Sequence, residues 1–111
     1  MTDDVTTWTA PRASLDLVLV AYLHLREDDA LAVLTRAVGW LRPGGRLLVL
    51  GHDVANIEAG VGGPQEPAIL HSVAGLAPVA RLLAVDRLEQ VRRQTPAGIA
   101  LDTVLWGRRT A

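Results

Sequence analysis

Two stretches of the chain, residues 15–23 and 46–52, are almost uninterrupted in aliphatic side chains. A strand of a half-exposed sheet alternates apolar and polar residues, whereas a parallel strand covered on both faces is apolar throughout. We therefore predict that both stretches are parallel strands of one sheet and that each is buried on both faces.

The segment between these strands has the spacing of an amphipathic helix. Its apolar positions recur every three or four residues, at Leu31, Leu34, Val38 and Leu41. The acids at 27–29 suit the start of a helix, where they cap free N–H groups and complement the dipole. Pro43-Gly44-Gly45 is predicted to end it. Strand, helix and strand then form a right-handed βαβ unit.

The second half of the chain predicts a loop, a short helix and a hairpin. Residues 53–67 are rich in glycine and proline and indicate a long functional loop, with a short helix expected over 72–83. Two strand candidates, 84–93 and 99–108, flank the turn-like residues 94–98 and are expected to pair as an antiparallel hairpin. The predicted fold class is α/β, in a single domain.

The outer edge of strand 15–23 has no partner strand in this prediction. One crossover helix covers one face of the sheet, although both central strands are apolar on both faces. An apolar, uncharged free edge promotes assembly. We therefore expect either that the domain 1–111 is truncated at its N-terminus, or that this edge pairs with a second copy or with a separate N-terminal subunit.

Composition narrows the function classes. The 11 Lys and Arg against 12 Asp and Glu give a net charge of -1, which provides no field for nucleic acid or anionic lipid. The absence of cysteine excludes a disulfide framework and a thiolate metal site. The sequence shows neither a signal-peptide pattern nor an apolar run of membrane-spanning length. We expect a cytoplasmic protein without nucleic-acid or membrane partners.

The motifs Leu15-Asp16-Leu17-Val18 and Leu41-Arg42-Pro43-Gly44-Gly45, with a helix between them, resemble the second half of class I S-adenosylmethionine (SAM)-dependent methyltransferases. The resemblance implies a partial Rossmann-like sheet, which in that family has the strand order 3-2-1-4-5-7-6. Residues 15–23 then correspond to strand four and 46–52 to strand five. The C-terminal hairpin supplies strands six and seven.

The resemblance also implies SAM as cofactor and a small molecule as methyl acceptor. Gly51-His52-Asp53, with Gly62-Gly63-Pro64-Gln65, is similar to small bacterial methyltransferases of the tellurite-resistance and thiopurine-like type. The acidic and glycine-rich loop after strand one of the family, and the acid after strand two, have no counterpart. These are the groups that hold the methionine and ribose portions of the cofactor.

Four residues are expected to contact the cofactor. Asp4 and Val5 resemble the family's adenine-binding segment, where a carboxylate accepts from the exocyclic amine and an apolar neighbour packs on the ring. Ala21 and Tyr22 lie at the carboxyl end of the first strand, where ligands of parallel sheets bind.

His24 and His52 follow the two strands and are the candidate bases that would take the proton of the acceptor. The alternative is that both are loop histidines that bond backbone or water. No metal site is predicted, because His24, His52 and Asp53 lack regular ligand spacing.

Other singled-out side chains are assigned structural roles. We expect His71 to neighbour a helix cap or to be exposed, and Trp40 to lie in the core. The four hairpin arginines are expected to form a solvated face: Arg92, Arg93, Arg108 and Arg109.

Three functions follow from these observations. The first is a SAM-dependent methyltransferase that lacks the glycine-rich SAM loop. The second is a non-catalytic, methyltransferase-like module that assembles through the strand edge. The third is a nucleotide-binding α/β module with different chemistry.

Overall fold

The computed structural model describes residues 9–23 and 25–110, apart from the side chain of Ala68. Its elements, in chain order, are β1 (Leu15–Ala21), α1 (Glu27–Trp40), β2 (Leu41–His52), α2 (Asn56–Ala59), a 3-10 turn (Pro67–Ile69), α3 (Val73–Ala80), β3 (Ala84–Thr95) and β4 (Gly98–Arg108).

The strands form one sheet in the order β1-β2-β4-β3. β1 and β2 are parallel, and α1 connects them. β4 inserts antiparallel between β2 and β3, so that the C-terminal hairpin closes the sheet. The predicted α/β fold class, with a parallel pair, a crossover helix and an antiparallel hairpin, is confirmed.

The Pro-Gly-Gly segment belongs to β2 and does not end α1 as predicted. α1 ends at Trp40, and Leu41 already pairs with Leu15 of β1. The register then shifts, so that Leu17 pairs with Arg46. Gly44 lies in this irregular segment with a φ of +83°, a conformation that glycine adopts without steric cost.

The hydrophobic core lies on one face of the sheet, beneath α1 and α3. It contains residues from both helices, from β2 and β4, and from the turn before β3: Leu34, Val38, Leu41, Leu47, Val49, Leu76, Val79, Ala80, Leu83 and Leu105. Trp40 is also buried, at 6% exposure, as predicted. Burial of these side chains is the main favourable contribution to folding.

The opposite face of β1 is open, which contradicts the prediction that this strand is buried on both faces. Val18 and Val20 pack against the core, whereas Leu17 and Leu19 are 56% and 60% exposed. The reason is that α1 and α3 pack on the same core, and no other described element covers the second face.

The connection from β2 to β3 is more ordered than the predicted loop. Residues 53–67 contain α2, and the 3-10 turn follows at Pro67–Ile69. The short helix expected over 72–83 is α3, and the Ser72 hydroxyl caps it by accepting from Gly75 N–H at 2.9 Å. None of the helices in the described ranges is long and apolar enough to cross a membrane.

Candidate functional site

Four side chains, one from each strand or strand end, meet at the carboxyl ends of the parallel pair. Tyr22 directly follows β1, His52 is the last residue of β2, and Asp102 lies opposite His52 on β4. Arg93 reaches the same place from β3. These four residues are named the Tyr22 cluster below.

Asp102 is the centre of the Tyr22 cluster. It is 1% exposed, and its Oδ2 accepts from the Tyr22 hydroxyl at 2.9 Å and from Arg93 Nε at 2.8 Å. A second Arg93 nitrogen reaches Oδ1 at 3.4 Å. A buried charge needs such compensation, and hydrogen bonds to a charged group are among the stronger ones in proteins. Asp102 therefore has fixed hydrogen-bond partners from two other strands or strand ends.

Tyr22 is held in place through its backbone and through its side chain. Its backbone has a φ of +53°, in the left-handed region that non-glycine residues seldom occupy. Such a conformation costs about 1–3 kcal/mol and persists where the surroundings impose it. Its N–H donates to the Leu50 carbonyl at 2.7 Å, its hydroxyl donates to Asp102, and the Arg93 guanidinium lies 5.6 Å from the ring centre.

The pKa of Tyr22 is raised above its ordinary value. Burial is the largest cause, followed by the hydrogen bond and the negative charge of Asp102, while Arg93 acts in the opposite direction. The phenol is therefore the protonated donor and Asp102 the acceptor throughout the neutral range.

His52 packs against Tyr22, with the ring centres 4.9 Å apart and the planes inclined by 49°. Its Nδ1 lies 3.7 Å from Asp102 Oδ1, which exceeds hydrogen-bond distance and leaves an electrostatic contact when the imidazole is protonated. Gly63 also approaches the ring, and a Cβ at that position would lie 3.1 Å from Nδ1. The glycine-rich loop thus borders the candidate base.

Asn56 fixes that loop. It is 1% exposed, accepts from Leu101 N–H at 2.8 Å, and donates to the Gly62 and Val61 carbonyls at 2.9 and 3.3 Å. Gly60 lies so close to the Asn56 side chain that a Cβ there would overlap it. One buried amide therefore ties the loop to the first residues of β4 and sets its position beside His52.

Asp53 is occupied by structural hydrogen bonds. It is 3% exposed; Oδ2 accepts from the Thr103 hydroxyl at 2.5 Å, and Oδ1 accepts from Ala55 N–H at 2.8 Å and from Gln90 at 3.2 Å. Within residues 9–23 and 25–110, no three His, Asp or Glu side chains form a group that could hold a metal ion.

The structure brings together three of the predicted site residues. Ala21 and Tyr22 end β1 beside Leu50 of β2, and His52 packs on Tyr22. The predicted base His24 and the predicted adenine contacts Asp4 and Val5 lie outside the described residues.

The sequence analysis did not predict two members of the Tyr22 cluster, Asp102 and Arg93, as site residues. The available signal for Asp102 was a single acid inside the apolar strand Ile99-Ala100-Leu101-Asp102. The prediction of a solvated arginine face is confirmed for Arg92 and Arg108, which are exposed. It holds only in part for the other two: Arg93 is 41% exposed and pairs with Asp102, and Arg109 donates to three backbone carbonyls.

The sequence correctly predicted that His71 neighbours a helix cap, but the alternative that it is exposed is wrong. It precedes the α3 cap Ser72, as expected, yet its ring is 9% exposed and packs on Gly51. The cause is a backbone bridge between His71 and Asp53, which draws the residue against the end of β2.

Comparison with solved structures places the fold. The structure aligns with a SAM-dependent methyltransferase of Methanosarcina mazei at a TM-score of 0.71 and 10% identity, over 97% of this chain and 65% of that one. The N-methyltransferase NodS of Bradyrhizobium japonicum gives 0.65 and 17%, over 96% and 58%. The chain has the fold of SAM-dependent methyltransferases.

A third neighbour is 1,6-didemethyltoxoflavin-N1-methyltransferase of Burkholderia thailandensis, solved with 1,6-didemethyltoxoflavin and S-adenosylhomocysteine bound. It gives a TM-score of 0.64 and 21% identity over 96% of this chain and 48% of that one. The chain thus spans 48 to 65% of the length of these three structures. No protein-family model and no curated protein matches the sequence.

Proposed function

We propose that the chain is a SAM-dependent methyltransferase, or the acceptor-side part of one, that acts on a small molecule in the cytoplasm. The observation that carries the proposal is the Tyr22 cluster, which lies where parallel α/β sheets bind ligands, in a sheet with the methyltransferase strand order. When bound, SAM supplies a methyl group on a positively charged sulfur.

The residues at the carboxyl end of β1 fit one side of a cofactor site. Ala21 is exposed and Tyr22 is half-buried at the carboxyl end of β1, where they provide a surface for the cofactor. Asp4 and Val5 are proposed to contact adenine. The acceptor loop is proposed to be of the tellurite-resistance and thiopurine-like type.

A groove follows β2, and we assign the acceptor to it, although no residue of the Tyr22 cluster lines it. Its volume is about 390 Å³, within the usual range for ligand sites, and its lining residues are mainly apolar: Val54, Ala55, Ile57, Glu58, Ala59 and Pro67. The lining supports a largely apolar acceptor, with the Glu58 carboxylate as one polar contact.

His52 is the proposed base, with His24 as the second candidate. A base has to lie within about 2.6–3.2 Å of the proton it takes, directly or through one water. Nδ1 of His52 faces Asp102, so we assign proton transfer to Nε2. The negative charge of Asp102 stabilises the imidazolium that forms when the acceptor gives up its proton.

Equilibrium binding with SAM, S-adenosylhomocysteine and ATP tests the proposal, followed by methyl transfer from labelled SAM to a panel of small aromatic and aliphatic acceptors. We expect the two sulfur compounds to bind more tightly than ATP, although weakly, because the groups that hold the methionine and ribose portions in the family have no counterpart here. The variant H52Q is expected to bind SAM normally and to lose transfer, with R108A as the exposed control. A preference for ATP would replace this proposal with the nucleotide-binding module.

A second candidate is a non-catalytic module that assembles through β1. The observation that favours it is the exposure of Leu17 and Leu19 on a strand whose outer edge pairs with no described strand. We assign the edge to a second copy of this chain. Leucine flanks Val18 on both sides, so antiparallel pairing of two copies about Val18 sets each Leu17 opposite the Leu19 of the other.

A further inference from the structure

Burial of the Asp102 carboxylate costs free energy that the packing of β4 does not explain. It is 1% exposed on a strand whose neighbouring positions are also buried, including Leu101 and Thr103. Removing a carboxylate from water is costly, and an ion pair with Arg93, whose side chain is 41% exposed, offsets only part of that cost. What the carboxylate does achieve is to hold two side chains from different strands at one point.

We propose that Asp102 is a positioning residue, which anchors the Tyr22 hydroxyl and Arg93 and so keeps the Tyr22 ring as the surface that orients His52. The inference deepens the proposed function, because it concerns the orientation of the proposed base. The anchoring itself is independent of catalysis and can be measured on the protein alone.

Tyr22 needs such an anchor because its backbone is in a strained conformation. With a φ of +53° at the end of β1, its ring is directed by the hydrogen bond to Asp102 and by Arg93 above it. Without the carboxylate, the hydroxyl loses its acceptor and the guanidinium loses the partner that holds it over the ring. The ring is then free to turn outward, and His52 loses the surface on which it packs.

Among residues 9–23 and 25–110, the charged and titratable groups that face Tyr22 come from three strands: Asp102 from β4, Arg93 from β3 and His52 from β2. Asp102 raises the pKa of the phenol, and Arg93 lowers it. The two residues therefore have opposite effects on one observable.

The chain contains one tyrosine, so the ultraviolet difference absorbance of phenolate reports Tyr22 alone. We expect D102N to lower the midpoint of this titration and R93Q to raise it, relative to the wild type. The control D86N removes an exposed carboxylate that pairs with Arg46, and it should leave the midpoint unchanged. Y22F should abolish the signal and confirm its assignment.

Circular dichroism establishes that each variant is folded. A folded D102N protein with an unchanged midpoint would overturn the proposal. If D102N fails to fold, R93Q decides: an unchanged or lowered midpoint in that variant overturns the anchoring just as firmly.

Where methyl transfer is found, the steady-state constants provide a second test. D102N and Y22F are expected to lower kcat by about tenfold, less than the roughly 100-fold or more that a well-placed base contributes because His52 itself remains, while KM for the acceptor stays within about twofold. If Asp102 had only a structural role, D102N would lower the fraction of active protein and leave kcat per active molecule unchanged. An inactive wild type would contradict the proposed function and leave the tyrosine titration to decide the role of Asp102.

Discussion

At the scale of single residues, Gly51 is needed because the ring of His71 occupies the space beside it. A Cβ at Gly51 would overlap that ring. The backbone of His71 cannot easily retreat, since its N–H donates to the His52 carbonyl at 2.9 Å and its carbonyl accepts from Val54 N–H at 2.8 Å. We expect G51A to lower the free energy of unfolding by about 1–3 kcal/mol, the usual cost of overpacking.

Gly39 is the matched control for that substitution. It lies in α1 with no atom within 4 Å of the position a Cβ would take. An alanine there should raise the free energy of unfolding by about 0.5–1 kcal/mol, because it lowers the entropy of the unfolded chain. Urea denaturation of both variants measures the two effects. Changes of the same sign would contradict the packing at Gly51.

Tyr22 makes the stability of the chain depend on pH in the alkaline range. Its pKa in the folded chain is raised above 10.0, chiefly by burial and then by Asp102. The folded state therefore keeps this proton at pH values where the unfolded state has lost it. The resulting stabilisation is present in full below pH 10.0 and is lost as the pH rises through the folded pKa.

Unfolding free energies of the wild type and Y22F, measured at increasing pH, test this dependence. We expect the wild type to lose more stability than Y22F above the pKa of free tyrosine, because Y22F has no phenol to ionise. Parallel curves for the two proteins would show that Tyr22 ionises equally in both states.

The sequence was sufficient to predict that two members of the Tyr22 cluster, Tyr22 and His52, lie close together. Tyr22 and His52 stand at the ends of apolar runs, and parallel strands bring their carboxyl ends together, so their proximity follows from local pattern. Asp102 and Arg93 depend on the register of β4 against β2 and β3. A shift of one residue would turn Asp102 to the other face, and no local signal in the sequence sets that register.

At the scale of elements, α1 depends on a residue far along the chain. Its last turn contains no basic residue, and Arg109 supplies the missing charge by donating to the carbonyls of Gly39 at 3.1 Å and Leu41 at 2.6 Å. A cation at the carboxyl end of a helix interacts favourably with its dipole. We expect R109A to lower the free energy of unfolding by about 1–2 kcal/mol.

Arg108 provides the neighbouring control, since it is exposed at the end of β4. R108A should change the free energy of unfolding by less than about 0.5 kcal/mol, as is usual for surface positions. Thermal or urea denaturation of both variants gives the comparison. Equal losses would show that charge alone, and not the cap on α1, accounts for the effect.

The same helix end explains where element prediction failed. The apolar period continues through Leu41, and Pro43-Gly44 is a common stop signal, so local rules extend the helix too far. In the structure, Ala13 and Ser14 donate to the carbonyls of Gly39 and Trp40, which ends α1 earlier and allows Leu41 to pair with β1. Ala13 and Ser14 are distant in the sequence from the end of α1, so local rules for helix ends do not include them.

At the scale of the whole molecule, the two faces of the sheet are unequal. Parallel strands are ordinarily covered on both faces, and the continuous apolar run of β1 follows that rule in the sequence. Only one face is covered by the described helices, while Leu17 and Leu19 remain exposed on the other. That this strand is built for the interior of a larger sheet stays a prediction, because Leu17 and Leu19 are exposed on its second face.

Self-association through β1 is therefore the expected behaviour of the isolated chain. Sedimentation equilibrium should show a dimer at micromolar concentration. Edge pairing sets each leucine beside one of the other copy, and a cross-strand pair contributes roughly 0.2–1 kcal/mol, so L19K, which by symmetry disrupts two such pairs, should weaken the dimer by about tenfold. L82K, at a residue 45% exposed in the turn after α3, is the matched control and should leave the dimer intact. A monomeric wild type, or a dimer indifferent to L19K, would contradict pairing through β1, because such pairing sets Leu19 of one copy beside Leu17 of the other.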